Sequence, residues 1–160
     1  MEQASDVTWK LIPFEDLTVH ELYQITILRE RVFVVEQDCV YLDADGADPD
    51  CFHLCGYHQD ALVAYLRVVP PGLKYANAAS VGRVVTAPEA RGMSLGKTLM
   101  KQGLEATERL YPHHDIKISG QCYLERFYRN LGFEAQGETY LEDGIPHVAM
   151  LRRRTTEEEA

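Results

Sequence analysis

The sequence has too few basic residues to form a broadly positive surface. Its 160 residues include 16 lysines and arginines against 25 aspartates and glutamates, and the formal net charge is −9 at pH 7. Nucleic acids and acidic membrane surfaces are bound through basic faces. The composition therefore argues against both as main partners, and we predict neither a nucleic-acid partner nor a membrane partner.

Long hydrophobic runs are also missing. No apolar run approaches the ~18 residues that identify a membrane-spanning helix, and the first six residues, MEQASD, are polar where a secretory signal would become apolar. With 46% hydrophobic and 26% charged residues, the composition is ordinary for a globular protein. We expect a cytoplasmic protein with a single domain over residues 1–154 and a charged, acidic tail over residues 155–160.

Neither a disulfide framework nor a metal site is evident. Three residues separate Cys51 from Cys55, and no second close pair completes a zinc site. As residues of one predicted strand they would lie on one face of a sheet, as buried or free thiols. The acidic segment DADGADPD, residues 43–50, differs from a calcium loop because its glycine is misplaced and Leu54 replaces the closing glutamate. We interpret it as an ordinary loop and predict no metal.

Apolar periodicity and turn residues predict alternating strands and helices. Thr18 followed three residues later by Glu21 is a capping-box pattern that begins the first helix. Ser94 is the predicted N-cap of the second helix, and Gly132 caps the end of the third. Strands are predicted over residues 7–13, 51–57, 61–69, 80–86, 116–119, 133–140 and 148–152, helices over residues 20–33, 94–110 and 123–131, and a turn over residues 145–147. This order indicates an α/β domain in which a mixed sheet has helices on both sides.

The stretch RGMSLGKTLM, residues 91–100, contains the GKT of nucleotide-binding loops. A phosphate loop for nucleoside triphosphates needs glycine at the position of Arg91, and Gly92 shortens the loop by one residue. A simpler interpretation is a strand that turns directly into a helix, because the free N–H groups of a first helical turn and the helix dipole suit a pyrophosphate. Gly96 would allow a close approach, while Arg91 and Lys97 add positive charge.

The same segment resembles the acetyl-CoA loop of the GNAT superfamily of N-acetyltransferases, in which a strand is followed by R-x-x-(G)-x-G and a helix. The segment YLERFYRNLGF, residues 123–133, is similar to the family's second signature, a helix that holds a tyrosine and ends in LGF. RVFVVEQDCVYLDADGAD, VGRVV and EDGIPHVAM resemble the ElaA-type branch. The resemblance covers nearly the whole chain, but Ser94 replaces the first loop glycine and Gln121 stands where many members have asparagine.

The resemblance implies the GNAT fold and acetyl-CoA as co-substrate. The fold is a mixed, mostly antiparallel sheet of about seven strands, flanked by about four helices and splayed after the fourth strand. The pantetheine arm would lie beside the fourth strand as an added strand does, and the N–H of Val85 would stabilise the tetrahedral oxyanion. The residues assigned to the cofactor in this way are Val84, Val85, Thr86, Arg91, Gly92, Met93, Ser94, Leu95, Gly96, Lys97, Gln121 and Phe127.

The implied reaction is acetyl transfer to an amine, which attacks only in its neutral form. His147 is our first choice for the base, because imidazole titrates near neutral pH and glyphosate acetyltransferases, which the chain also resembles here, have Pro-His at this place. A structural histidine is the alternative, and Glu36 acting through water is the competing base. The resemblance assigns Tyr128 as general acid for the departing thiolate, against the alternative of a core tyrosine.

Two arginines lie where a charge needs a partner or a ligand. Arg83 interrupts an apolar strand, and Arg31 ends the first helix beside apolar residues. Either each faces the acceptor pocket and holds a carboxylate or phosphate of the substrate, or each forms an ion pair with an aspartate or glutamate.

The leading hypothesis is an N-acetyltransferase that acts on the primary amine of a small molecule, with an anionic acceptor as one option. Three alternatives stay open: a non-catalytic acyl-CoA-binding or interaction domain, an acetyltransferase for protein or peptide amines, and a kinase-like nucleotide-binding protein. The last of these has no apolar strand that ends convincingly in a metal-binding aspartate. The sequence leaves the acceptor and the number of subunits open, a homodimer included.

Overall fold

The computed structural model describes residues 6–154, so the predicted acidic tail at residues 155–160 lies outside the described residues. The strands are β1 (Thr8–Pro13), β2 (Phe52–His58), β3 (Ala61–Val69), β4 (Ala78–Thr86), β5 (Asp115–Gln121), β6 (Glu134–Glu142) and β7 (Ile145–Arg152). The helices are α1 (Val19–Arg29), α2 (Leu95–Leu110) and α3 (Glu125–Arg129), and a π-helical segment (Glu30–Glu36) continues α1.

Local sequence signals place the helices well. Thr18 accepts a hydrogen bond from the backbone N–H of Glu21, and the Glu21 side chain accepts one from the N–H of Thr18, so the predicted capping box is present. Helix α2 is amphipathic and packs against β3 and β4. Its Gly103 lies so close to the sheet that a Cβ there would meet Leu66 at 2.5 Å. A side chain at that position would push α2 away from the strands.

The seven strands form one sheet in the order β1-β2-β3-β4-β5-β7-β6. All neighbours are antiparallel except β4 and β5, which run parallel and are joined by the crossover helix α2. This pair is short, since only Ala78 and Ala79 of β4 pair with Asp115 and Ile116 of β5. Beyond these residues the two strands separate, and the sheet opens into the gap that the family resemblance predicts.

Strand β4 also carries a bulge four residues beyond its last pair with β5. Gly82 pairs with Arg67 and Val85 pairs with Tyr65, so Arg83 and Val84 together face the single residue Leu66 of β3. Arg83 has a φ of 51°, in the left-handed region that costs a non-glycine residue roughly 1–2 kcal/mol. A bulge bends its strand and increases the twist. The strain therefore lies where the strand turns away from its neighbour.

Three arginines and three aspartates alternate in a closed ring beside this bulge. The arginines come from α1, β3 and β4, and the aspartates all come from the loop over residues 43–48. The side chains of the first two arginines are only 4% and 8% exposed. The ring runs through Arg29, Asp43, Arg83, Asp45, Arg67 and Asp48 and returns to Arg29, with N–O distances of 2.7 to 3.4 Å.

The ring keeps its carboxylates charged. Hydrogen bonds from Arg67 hold the pKa of Asp45 well below its usual range, although burial opposes this. Burial would raise the pKa of Asp48, but the hydrogen bonds from Arg29 and Arg67 outweigh burial and lower it. Tyr41 donates a hydrogen bond of 2.7 Å to Asp43, and its ring lies 5.6 Å from the guanidinium of Arg83. The acidic loop is thereby tied to helix and sheet at once.

The last two strands form a hairpin whose turn is Asp143-Gly144, so the prediction of a turn over residues 145–147 is wrong. Both turn residues have positive φ, 53° and 78°, as in the type I′ turns that Asp-Gly favours. The turn pairs Glu142 with Ile145 and Tyr140 with His147. His147 consequently lies within β7 and not in a loop at the strand mouth.

The described part of the chain contains no group of residues that could hold a metal ion, and none of its helices is long and apolar enough to cross a membrane. All four cysteines are free thiols. Cys51 precedes β2 and Cys55 lies within it, so they are not residues of one strand as predicted. Both are buried in the core.

The ring predicts a large difference between two neighbouring aspartates. Asp48→Ala leaves two buried guanidinium groups without one of their partners, and we expect a loss of about 3–5 kcal/mol in the free energy of unfolding. Asp50→Ala, at an exposed position of the same short segment, should stay within about 0.5 kcal/mol of the wild type. Urea denaturation of both variants measures this, and equal losses would show that the ring does not stabilise the fold.

Candidate active site

The separation of β4 from β5 opens a cleft of about 630 Å³. Its walls come from the segment after the π-helical turns, from β4, from the first turn of α2, from β5, from residues 121–128 and from the β6–β7 hairpin. Of the residues predicted to bind the cofactor, to bind the substrate or to act in catalysis, those that line the cleft are Arg83, Val84, Gly96, Gln121, Phe127, Tyr128 and His147.

The cleft passes through the sheet from one face to the other. Residues directly opposite each other in paired strands share a face. The pairs Gln121–His147 and Tyr140–His147 therefore put Gln121, Tyr140 and His147 on one face, together with Ser119 and Glu142 by alternation along the strands. Gly120 faces the other way, since a Cβ there would meet the ring of Tyr128 at 3.1 Å. Tyr128 and His147 thus lie on opposite faces of the sheet.

The N-terminus of α2 is open at one end of the cleft. Ser94 is the N-cap residue as predicted, but it has a φ of 56° and its side chain makes no capping hydrogen bond. The chain also does not turn directly into α2, because a 3₁₀ turn, Pro88–Met93, precedes it. A Cβ at Gly92 or at Gly96 would meet nothing within 4 Å. The first-turn N–H groups of α2 are thus left uncapped by Ser94, in an uncrowded corner.

Several predicted cofactor residues do not face the cleft with their side chains. Val85 and Leu95 are buried in the core, and Met93 packs against it. Lys97 is exposed beside the first turn of α2. The buried residues can contact a ligand only through their backbone atoms, which agrees with a site built from a strand edge and a helix terminus.

Two candidate residues bind each other outside the cleft lining. The guanidinium of Arg91 forms an ion pair with the carboxylate of Glu36, and both side chains are about half exposed. This pair links the turn before α2 to the π-helical segment. Glu36, the competing candidate for the base, is therefore bound to the guanidinium of Arg91 outside the cleft lining.

The arginines predicted to hold an anionic acceptor both have carboxylate partners. Arg31 pairs with Glu89 at 2.8 Å on the surface and does not line the cleft. Arg83 does line the cleft, but Asp43 and Asp45 of the ring already neutralise it. Of the two alternatives for these residues, the structure shows the ion pair in both cases.

His147 is buried and oriented by two neighbours. Its Nδ1 lies 2.7 Å from the carbonyl oxygen of Ile145, which can only accept, so Nδ1 carries the proton in this contact. Its Nε2 lies 3.4 Å from Oε2 of Glu142. The ring stacks on Tyr140 with centroids 6.3 Å apart. The backbone thus fixes the tautomer, and Nε2 faces a carboxylate that lines the cleft, a contact that becomes attractive when Nε2 takes up a proton.

Tyr128 is held by aromatic packing. Its ring meets Phe127 and Phe133 edge to face, with centroids 5.4 and 6.1 Å apart. Burial raises the pKa of the Tyr128 hydroxyl above its ordinary value of about 10. The hydroxyl is therefore fully protonated at neutral pH and can act as an acid on the helix side of the cleft.

The comparison with known proteins decides the family. A family model for the acetyltransferase (GNAT) domain matches residues 31–153. The chain belongs to the GNAT acetyltransferase family. An acyl-CoA N-acyltransferase from Pseudomonas aeruginosa is similar in structure, with a TM-score of 0.87 at 42% identity over 91% of this chain and 99% of that one.

Two further relatives indicate the branch of the GNAT family. The crystal structure of Escherichia coli ElaA has a TM-score of 0.85 at 36% identity, over 92% of this chain and 99% of that one. A UPF0039 protein of Synechocystis is 39% identical over 149 residues, which cover 92% of this chain and 96% of that protein. This GNAT protein is therefore an acyltransferase of the ElaA-type branch, as the sequence motifs predict.

Sequence reasoning missed the polar residues that surround His147. Ser119 Oγ lies close to the hydroxyl of Tyr140 and 3.3 Å from Oε1 of Glu142. The sequence does contain a signal for their position, because the Asp-Gly dipeptide at residues 143–144 predicts a two-residue hairpin turn. That register alone would have placed Tyr140, Glu142 and His147 on one face of this GNAT domain.

Proposed function

We propose that the protein transfers the acetyl group of acetyl-CoA to the primary amine of a small molecule, by direct attack of the amine on the thioester. The observation that carries this proposal is the gap between β4 and β5, which joins the open N-terminus of α2 to the buried imidazole of His147. One reactant can enter on each face of the sheet, and their reacting groups meet in the gap.

The residues on the α2 side fit acetyl-CoA. The backbone of β4 from Val84 to Thr86 has no strand partner on the β5 side within the described chain, so it can pair with the pantetheine amides. The uncapped first turn of α2 suits the pyrophosphate, and Lys97 adds positive charge nearby, whereas the charge of Arg91 is balanced by Glu36. Gly96 has room for a phosphate at its Cα.

The chemistry runs from one face of the sheet to the other. His147 accepts a proton from the acceptor ammonium at Nε2, and the neutral amine attacks the thioester carbon. The N–H of Val85 points to β3, because Val85 pairs with Tyr65 in the register in which the N–H of Ala87 donates to the carbonyl oxygen of Val63. In this proposal a backbone N–H on the open edge of β4 stabilises the oxyanion instead, after which the C–S bond breaks. Tyr128 gives its proton to the departing thiolate, the nitrogen loses its second proton to solvent, and solvent restores the protonation of both side chains.

The decisive experiment is thiol release from acetyl-CoA with a panel of small amines and of short peptides with free amines. A small-molecule acceptor predicts turnover with amines and little with peptides, whereas a peptide acceptor predicts the reverse. Calorimetric titration with acetyl-CoA and with ATP, each without acceptor, tests the donor site separately. ATP binding without acetyl-CoA binding would contradict the proposal.

Gly96→Asp tests the phosphate site. The new carboxylate would stand at the open corner beside the diphosphate, and we expect the affinity for acetyl-CoA to fall at least about 100-fold, or ~3 kcal/mol. Gly96→Ala is the matched control, because a methyl group meets nothing there and should bind within a few-fold of the wild type. Unchanged affinity of the aspartate variant in calorimetry would refute the phosphate site.

Tyr128→Phe tests the general acid. The phenylalanine keeps the packing against Phe127 and Phe133 but cannot donate a proton. We expect kcat to fall roughly 10- to 100-fold while the affinity for acetyl-CoA changes little. Stopped-flow thiol release and calorimetry separate the two effects. A variant with full kcat would remove the acid role and leave Tyr128 as a core residue.

His147→Ala tests the general base. An imidazole base makes kcat/KM rise with pH across neutrality, because only its neutral form accepts the proton. We expect the alanine variant to be roughly 100-fold slower at neutral pH and to lack this rise. His114→Ala, at an exposed position remote from the cleft, should keep the wild-type profile. The same rise in both variants would transfer the role to Glu36 or to water.

A further inference from the structure

The charged side chains on the acceptor side of the cleft are mainly carboxylates. Within the described residues, Asp38, Glu142 and Asp143 line the cleft, and Arg83 is the one arginine or lysine that does so. The charge of Arg83 is balanced by the ring that it shares with aspartates outside the lining. Among the side chains that line the cleft, an incoming acceptor therefore meets more unbalanced carboxylates than cations.

Glu142 has free capacity to bind a cation. A carboxylate accepts about four hydrogen bonds, but in this structure its contacts are a hydroxyl, Ser119 Oγ at 3.3 Å, and an imidazole, His147 Nε2 at 3.4 Å. No arginine or lysine of the described chain lies within ion-pair distance of it. Burial lowers the pKa of Lys74, and the negative charge of Glu142 opposes this shift. The Glu142 side chain is 48% exposed, and the residue lines the cleft.

The hairpin register puts this carboxylate where the acceptor must give up a proton. Glu142 and His147 share a face, and Nε2 of His147 is directed at the Glu142 carboxylate. Tyr140 stacks on the imidazole and contacts Ser119, so both partners of the carboxylate are fixed. A cation bound to Glu142 lies beside the base.

We propose that Glu142 binds the ammonium group of the acceptor and that the cleft selects amines with a second positive charge over amines with a carboxylate. This rests on the proposed acetyl transfer. The acceptor arrives as R–NH₃⁺ on Glu142, one proton moves to His147, and the amine forms the C–N bond to the thioester carbon before the C–S bond breaks. A second proton leaves the nitrogen to solvent, and the thiolate takes its proton from Tyr128. The anionic acceptor suggested by the sequence is disfavoured, because both arginines that would hold it are paired.

Three four-carbon amines test the charge preference, since they differ only at the far end: 1,4-diaminobutane, butylamine and 4-aminobutanoate. The carboxylate of 4-aminobutanoate would be repelled by the carboxylates that line the cleft. Two like charges about 4 Å apart repel by about 1 kcal/mol in water and about 4 kcal/mol near a protein surface. We expect kcat/KM to decrease in the order given, with at least about a tenfold difference between the first and the last. Equal rates, or a preference for 4-aminobutanoate, would overturn the charge preference.

Glu142→Gln tests the ammonium site. We expect KM for 1,4-diaminobutane to rise at least about tenfold, while the affinity for acetyl-CoA stays unchanged. Glu138→Gln, at an exposed position of the same strand, is the matched control and should behave as the wild type. An unchanged KM in the Glu142 variant would remove the role of this residue.

Binding separates this inference from the proposed function. If no amine or peptide releases thiol, the proposed acetyl transfer fails. Titration of 1,4-diaminobutane into protein saturated with CoA still tests Glu142: the inference holds if the wild type binds and the glutamine variant binds at least about tenfold more weakly. It falls if the wild type does not bind the diamine or if both proteins bind it equally.

Discussion

The closed ring of three arginines and three aspartates is the constraint on which the cleft depends. Each buried charge has two partners of opposite sign, which is the condition under which burial of charge is tolerated. The aspartates come from one short loop, and the arginines come from α1, β3 and β4. A single loop therefore fixes a helix against the sheet, and it holds Arg83 in a left-handed conformation where β4 turns away from β5.

The gap that follows has a different chemistry on each side. On the α2 side the gap is lined by backbone groups of a strand edge and a helix terminus, which can bind a ligand and do not titrate. On the hairpin side it offers titratable side chains, with His147 held by the Ile145 carbonyl and by Glu142. In the proposed reaction the donor would bind to backbone groups, and the base would come from the hairpin. This arrangement allows acceptor preferences to change through the hairpin while the donor corner of the GNAT fold stays the same.

Contacts between residues that are close in the sequence could be predicted from the sequence. Thr18 and Glu21 contact each other across one helical turn, so their pattern predicts the contact directly. The same holds for β3, whose apolar run is buried along nearly its whole length, whereas β6 is almost wholly exposed. The turn over residues 145–147 was wrong because Pro146 was given more weight than the Asp-Gly pair before it, although Asp-Gly satisfies two positive φ angles with little strain. Ser94 is the N-cap of α2 as predicted, but its left-handed φ and the missing side-chain hydrogen bond do not follow from residue type.

The sequence by itself determined the order of the strands and helices, the family through its two motifs, and the candidate donor loop, since each depends on neighbours within one or two turns of chain. Only the tertiary structure decided what Arg83 binds, since its partners Asp43 and Asp45 lie about 40 positions earlier. It also decided that Glu142 stands beside His147, through the register of a hairpin. Periodicity reports which face of an element is buried, whereas ion pairs and acid–base partners depend on which distant elements meet, and that is fixed only when the sheet closes around its core.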